Sequence, residues 1–283
     1  LTIRLVTDST ADIPPDQAQA DNITVVPLTV FFGDEAYLDG VDLDNASFYK
    51  KLQASKDLPR TSQPSPAAFQ EAFKNLIDEG ADAIISVHLS SKLSGTYQSA
   101  CTARDTLPDT VKKIPIEIID SKNISIAMSR SILRAAQEVK EGHGLTEVKA
   151  HILDELSRTR ILAVLDTLEY VKRGGRIGGA SAFLGNMLSI KPIISLKDGE
   201  VVPIERPRTR NRAYARVAEL LSEMGPVEHV SVAESSEGFA EQLAQYVKTV
   251  YTGDLSFYKL GAVLGTHTGP GTAAIAAVIA RQD

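Results

Sequence analysis

Along the first half of the chain, short apolar runs rich in β-branched residues alternate with stretches whose apolar positions recur at helical spacing. Thr2–Thr7, Ile23–Val26, Ala83–His88 and Ile114–Ile119 read as strands, and Ala46–Ala54, Pro66–Glu79, Gly95–Asp105 and Ser125–Glu141 as helices. That alternation predicts a parallel sheet covered by helices. The helix at Pro66 is the best announced: a serine hydroxyl at Ser65 can accept from a free amide of the first turn, and proline suits the first helical position. Near Gly142–Gly144 the pattern changes. A helix over Thr146–Arg158 leads into a strand at Ile161–Leu165. Strands at Pro192–Leu196 and Val201–Glu205 then flank Lys197-Asp198-Gly199, a hairpin signal because Asp-Gly accepts positive φ. Helices at Thr209–Glu223 and Gly238–Thr249, with strands at His229–Ala233, Leu255–Lys259 and Ala262–Leu264, complete a mixed set. The pattern predicts α/β architecture in two domains: an N-terminal parallel-sheet domain over 1–158 and a C-terminal mixed, partly antiparallel domain over 159–283. The two halves are expected to frame one cleft.

Composition narrows what that cleft can serve. A chain of 283 residues can bury full cores in two domains, and 43% hydrophobic with 23% charged residues is the balance of a globular protein. A net charge of −6 opposes nucleic acid as the main partner, since phosphate backbones need a basic face. One cysteine, Cys101, excludes an internal disulfide, and the sequence shows neither a secretory leader nor an apolar run near the roughly 20 residues that span a bilayer. A cytoplasmic location is the expectation.

Four loops stand where strands and helices are expected to meet, the usual ligand position of open α/β sheets. They are "VTDSTADIP" (6–14), "RTSQPSP" (60–66), "LSSKLSGTYQSA" (89–100) and "GTHTGPGTAA" (265–274). Asp8, Ser9 and Thr10 suit turns and caps as well as ligands, and so do Thr61 and Ser62. Gly269-Pro270-Gly271 with Ala274 matches a dinucleotide fingerprint only superficially, because residues 275–283 leave no room for the strand–helix–strand that should follow. The expectation that survives is a strand, a glycine turn and a helix N-terminus attractive to anions, with His267 beside it.

Other chemistries lack their residues. No Gly-x-Ser-x-Gly elbow surrounds Ser94, no P-loop occurs, and the five histidines lack zinc-protease spacing. A Ser94–His267 hydrolase or acyl transferase stays conceivable, but no aspartate is singled out to orient the histidine. His88, ending an apolar strand, reads as a hydrogen-bonded core residue. Hydroxyls, amides and one histidine without a basic cage suit a small, singly charged anion such as a carboxylate. Phosphoryl transfer would also recruit lysine, arginine and magnesium ligands.

The segment 169–196 opens with a basic glycine turn, Lys172-Arg173-Gly174-Gly175-Arg176, and continues through Phe183, Leu184, Met187, Leu188 and Ile190. These apolar residues are either plain core or a mobile wall over an apolar tunnel, with 174–185 as the gate. Arg173 and Arg176 are either solvated rim charges or receivers of a phosphate or an acidic partner.

Together, "VTDSTADIP", "TSQPSP", "LSSKLSGTYQSA", "DSKNIS" (120–125), "EYVKRGGRI", "SIKPI" (189–193) and "GTHTGPGTAA" resemble, in the same order, the bacterial DegV family, which includes fatty-acid-binding subunits of fatty acid kinase. The resemblance runs from Val6 to Ala274. It implies one long-chain fatty acid held between the two domains, with no cofactor besides that ligand. It further implies a kinase catalytic subunit as partner, transient membrane contact, and a place in phospholipid metabolism. By the same resemblance the carboxylate would meet Thr61, Ser62, Ser94, Gly95, His267 and Thr268, while Arg173 and Arg176 would face the kinase or an acyl phosphate. Lys92 stands where family members often have a smaller residue; pointing inward, it would add positive charge beside the carboxylate.

Overall fold

The computed structural model describes residues 1–108, 111, 114–186 and 190–281. Its first half forms strands β1 (Ile3–Asp8), β2 (Ile23–Val26), β3 (Thr29–Phe32), β4 (Glu35–Leu38), β5 (Arg60–Ser62), β6 (Ala83–His88) and β7 (Ile116–Asp120). Helices α1 (Pro15–Ala20), α2 (Asn45–Ala54), α3 (Pro66–Asp78), α4 (Thr96–Asp105), α5 (Ile126–Lys140) and α6 (Leu145–Arg158) lie between and after them. β2-β1-β6-β7 make a parallel four-stranded sheet. Alternation along β6 sends Ala83, Ile85 and Val87 to the core shared with α5 and α6, and Ile84 to the core under α3 and α4. The start of α3 is capped as its sequence predicts, Ala68 N–H donating to Ser65 Oγ at 3.2 Å.

From Thr159 onward come β8 (Thr159–Val164), α7 (Glu169–Arg173), β9 (Ile193–Lys197), β10 (Glu200–Glu205), α8 (Arg210–Glu223), β11 (Val227–Glu234), α9 (Phe239–Val247), β12 (Leu255–Lys259), α10 (Ala262–Thr268) and β13 (Ala273–Ile279). The six-stranded sheet β10-β9-β8-β13-β11-β12 is mixed: β11 and β12 pair in parallel, the remaining neighbours antiparallel. The β9–β10 hairpin turns at Asp198 (φ 52°) and Gly199 (φ 85°), the left-handed pair that the Asp-Gly signal demands. One face of this sheet is covered by α8 and α9 through Tyr214, Val217 and Leu243. On the other, Ile126 and Ala127 of α5 meet Ile161, Ala274 and Ala276, while Met128 and Ile132 of the same helix pack under the four-stranded sheet. α5 is therefore a layer common to both sheets.

Three findings depart from the sequence reading. Ala262–Leu264 belongs to helix α10 rather than to a strand. Residues after Gly271 form strand β13 rather than a helix, so the glycine turn leads out of a helix C-terminus and offers no helix N-terminus to an anion. An alanine-rich run favours helix when isolated, but here both edges of β13 are paired, to β8 and β11, and tertiary pairing overrides propensity. Finally, β4-β3-β5 form a small antiparallel sheet that the sequence reading lacked, packed with α2 against Ala262 and Val263 of α10.

Candidate functional site

Three of the four loops converge. β5 carries Thr61, the loop between β6 and α4 carries Ser94, and the last turn of α10 carries His267. All three border a cavity lined by the six-stranded sheet, by α10 and by the loops that follow β6 and β7. Its empty volume, open mouth included, is about 1,030 Å³. The walls are apolar: Ile161 and Ala163 of β8, Ile194 and Leu196 of β9, Val201 of β10, Ala274 of β13, Val263 and Leu264 of α10, with Leu28, Leu89, Leu93 and Leu260. Among the described residues of the lining, Arg176 carries the one formal charge.

Five polar side chains of the lining cluster, Thr61 with His267 and Gln63, Ser94 and Arg176 beside them, while Ser125, Ser195 and Thr272 add further hydroxyls. His267 Nε2 lies 2.8 Å from Thr61 Oγ1, while its Nδ1 is buried without a hydrogen-bond partner among the described residues. Burial, reinforced by the positive charge of Arg176, pushes the His267 pKa down to about 4, so the ring is neutral at pH 7. One of its nitrogens then donates and the other accepts. Donation from Nε2 to Thr61 leaves a bare lone pair at Nδ1 and frees the Thr61 hydroxyl proton for a ligand. Ser94 Oγ lies 2.9 Å from Thr96 Oγ1 and accepts from Thr96 N–H at 3.3 Å, at the N-terminal end of α4. Gly95 leaves room for Gln63: a Cβ would stand 2.7 Å from the Gln63 amide nitrogen and would displace that side chain, which itself lines the cavity. Arg176 is held by Leu93 O at 3.2 Å and Gly174 O at 2.6 Å.

The remaining predicted site residues divide. Thr268 borders the cavity, but its hydroxyl donates to Leu264 O at 3.0 Å. Ser62 is exposed on the other face of β5. Arg173 is exposed and paired with Glu169 at 2.5 Å. It lines an outer depression with Asp57, Arg60, Thr61, Arg176 and His267, so Thr61, Arg176 and His267 separate the inner cavity from that outer surface. Phe183 packs behind the wall, against the cluster of Ala180 and Val201, with the Arg206 guanidinium 5.1 Å from its ring centre. Ile190 is half-buried and outside the lining. Met187, Leu188 and the side chain of Leu184 lie outside the described residues. Lys92 points outward, its ammonium 3.9 Å from Glu200, rather than toward the hydroxyl cluster.

His88 is a core residue as its sequence position suggests, but its partners form a chain the sequence reading missed. Ser86 Oγ lies 2.7 Å from His88 Nε2 and Asp8 Oδ2 lies 3.0 Å from Nδ1, with Phe69 packed against the ring. Serine, histidine and aspartate are all fully enclosed, so this triad-like order has no access to a substrate. Asp8 Oδ2 also accepts from Leu89 N–H at 3.1 Å, anchoring the start of the loop that carries Ser94. Ser94 and His267 do not pair with each other: each is bonded to a threonine.

Two sheets, a shared helix and an apolar cavity with hydroxyl, amide and guanidinium donors in its lining define an α/β small-molecule-binding class. A family model described as an uncharacterised protein of the DegV family matches residues 2–280. The chain belongs to the DegV family. A DegV domain-containing protein of Halalkalibacterium halodurans is 39% identical over 278 residues, covering 95% of this chain and 96% of the relative. A Thermus thermophilus DegV family structure described by its fatty acid binding superposes with a TM-score of 0.89 at 33% identity, covering 99% of this chain and 100% of that one. A stearic-acid-binding protein of Eubacterium ventriosum gives 0.91 at 25% identity and 98% coverage of both chains. Among the described residues, no helix is long and apolar enough to cross a membrane.

Proposed function

We propose that this chain binds one long-chain fatty acid, its tail in the apolar cavity and its carboxylate among Thr61, Ser94, His267 and Arg176, and presents it to a separate kinase subunit. The observation that carries this reading is the cavity itself, walled mostly by apolar side chains and joined by the cluster of Thr61, Gln63, Ser94, Arg176 and His267. A carboxylate buried without partners costs several kcal/mol, so its head must meet donors. The two hydroxyls, the Gln63 amide and the Arg176 guanidinium supply them. Each buried methylene contributes about 0.8 kcal/mol, so a chain of about 16 carbons gains on the order of 10 kcal/mol over water. That is comparable to what a bilayer offers. Relatives of the same fold described as fatty-acid-binding support the ligand class.

The kinase role rests on the outer depression, where Arg60, Arg173 and Arg176 outnumber Asp57 beside the head site. Such a surface suits the phosphate of an acyl phosphate or an acidic partner. This subunit would then contribute binding and orientation while the partner supplies the chemistry. The segment from Gly174 to residue 185 is the gate in this reading, and the chain divides into two domains near Arg158. A hydrolase or acyl transferase using Ser94 and His267 is the weaker reading, because His267 is bonded to Thr61 rather than to Ser94. Lipid extracted from the purified protein and identified by mass spectrometry should be fatty acid at one per chain, and Ser94→Ala with His267→Ala should remove it while circular dichroism stays unchanged. Unchanged lipid content in the double variant would overturn the head site. Turnover of an activated ester, lost in Ser94→Ala, would favour the enzyme.

A further inference from the structure

The loop "VTDSTADIP" does not reach the cavity, yet it bears on the residue that closes it. α10 runs from Ala262 to Thr268, with Gly261 at its N-cap and therefore no side chain to satisfy its first amides. Two carboxylates from the other end of the chain take that place. Gly261 N–H donates to Asp12 Oδ1 at 2.8 Å, and Ala262 N–H donates to Asp39 Oδ1 at 3.0 Å. These bonds join positions 249 and 223 residues apart. Asp12 is fixed in turn by the Ser125 hydroxyl, which donates to its Oδ2, and Asp39 by its own N–H, which donates to Leu28 O at 2.9 Å. Neither aspartate lines the cavity.

A helix this short has little stability of its own, so its ends decide its position. Gly261 allows the close approach: a Cβ there would stand 2.9 Å from Asp12 Oδ1 and 3.4 Å from both Asp39 oxygens. From the clamp the ladder runs Gly265 N–H to Gly261 O at 2.8 Å and Gly269 N–H to Gly265 O at 2.9 Å. His267 leaves the last turn, five residues or about 7.5 Å of helix beyond Ala262. We propose that Asp12 and Asp39 are positioning residues for His267: by capping α10 from the first forty residues of the chain, they fix the helix whose last turn brings the imidazole to Thr61. The proposal rests on the fatty-acid reading, in that the positioned histidine is part of the carboxylate site.

The test compares a long-chain fatty acid with the alcohol of the same chain, which keeps the tail and loses the charged head. Each is delivered from cyclodextrin and its binding followed by calorimetry. The wild-type protein should prefer the acid. Asp39→Ala should weaken acid binding about tenfold, the equivalent of about 1.4 kcal/mol, and leave alcohol binding unchanged. Asp39→Asn, which keeps an oxygen acceptor for Ala262 N–H, should restore the preference. If Asp39→Ala does not fold, Gly261→Ala disturbs the same clamp without removing a carboxylate and should show the same selective loss. Equal losses for acid and alcohol, or an Asn variant no better than Ala, would show that the clamp serves the fold alone and overturn the proposal. A wild-type protein indifferent to the carboxylate would overturn the fatty-acid head site itself, and the positioning role with it.

Discussion

Replacing His267 by glutamine removes one buried titration while keeping a side chain able to bond Thr61, and its effect on stability can be worked out in advance. The folded pKa of about 4 lies below the ordinary value of 6.5 because burial, and then Arg176, disfavours the charged ring. Between those values the unfolded chain binds more protons, so stability rises with pH across the window and is lost as pH falls through it. At about 1.4 kcal/mol per unit the ceiling is about 3.4 kcal/mol; by about pH 5 the loss relative to pH 7 should be about 2 kcal/mol. Asp39 opposes it. Burial raises its carboxyl from 3.8 to about 6, so the folded state binds that proton more tightly and its contribution is lost as pH rises through the same range. His229, pushed down to about 4 by burial, adds a slope of the same sign as His267, so the wild-type curve sums several titrations, and the difference between variant and wild type isolates His267. Urea unfolding of lipid-free protein at pH 5, 6 and 7 measures it. The variant should gain about 2 kcal/mol on the wild type between pH 7 and pH 5. Parallel curves would refute a buried, neutral His267.

Arg176→Gln should raise the His267 pKa part of the way toward 6.5, because it removes the second cause of the depression and leaves burial, the first; imidazole resonances followed by NMR would show it, and an unmoved titration would place the guanidinium elsewhere. Ala274→Phe introduces a ring into the cavity from the start of β13, where Ala274 pairs with Ala163 and Ala233 across the sheet. It should cost about 1–3 kcal/mol at most and shift the extracted lipid to shorter chains or abolish it, read by mass spectrometry.

Long periodic elements were legible from the sequence, and the wall of the cavity was not. α3, α5, α6 and the β9–β10 hairpin carry their own signals: a cap at Ser65, a sustained apolar stripe, an Asp-Gly turn. Short segments do not. "AVLG" after Gly261 is too brief for periodicity to separate strand from helix, and the groups that make it helical, Asp12 and Asp39, are distant in sequence. β3 and β4 did leave a local trace, the two residues Gly33-Asp34 between Phe32 and Glu35, with Gly33 at φ 60°. Thr61, Ser94 and His267 stood out because polar residues clustered in loops. The apolar lining from β8, β9 and β13 could not stand out, since a strand that faces a ligand and one that faces a core have the same composition.

The proposed head site would also account for motif loops rich in hydroxyls and poor in lysine. A neutral His267 and a single lining guanidinium give the cavity lining one positive charge, enough to balance the one carboxylate of the proposed ligand. A cage of several cations would bind that head more tightly, but it would also hold a dianionic phosphate better still, retaining the product of a phosphoryl transfer instead of its substrate. In the proposed function the extra arginines, Arg60 and Arg173, belong where they are found, in the outer depression beyond Thr61 and His267. Negative charge added to the head is then drawn outward, toward the surface from which the acyl phosphate must leave.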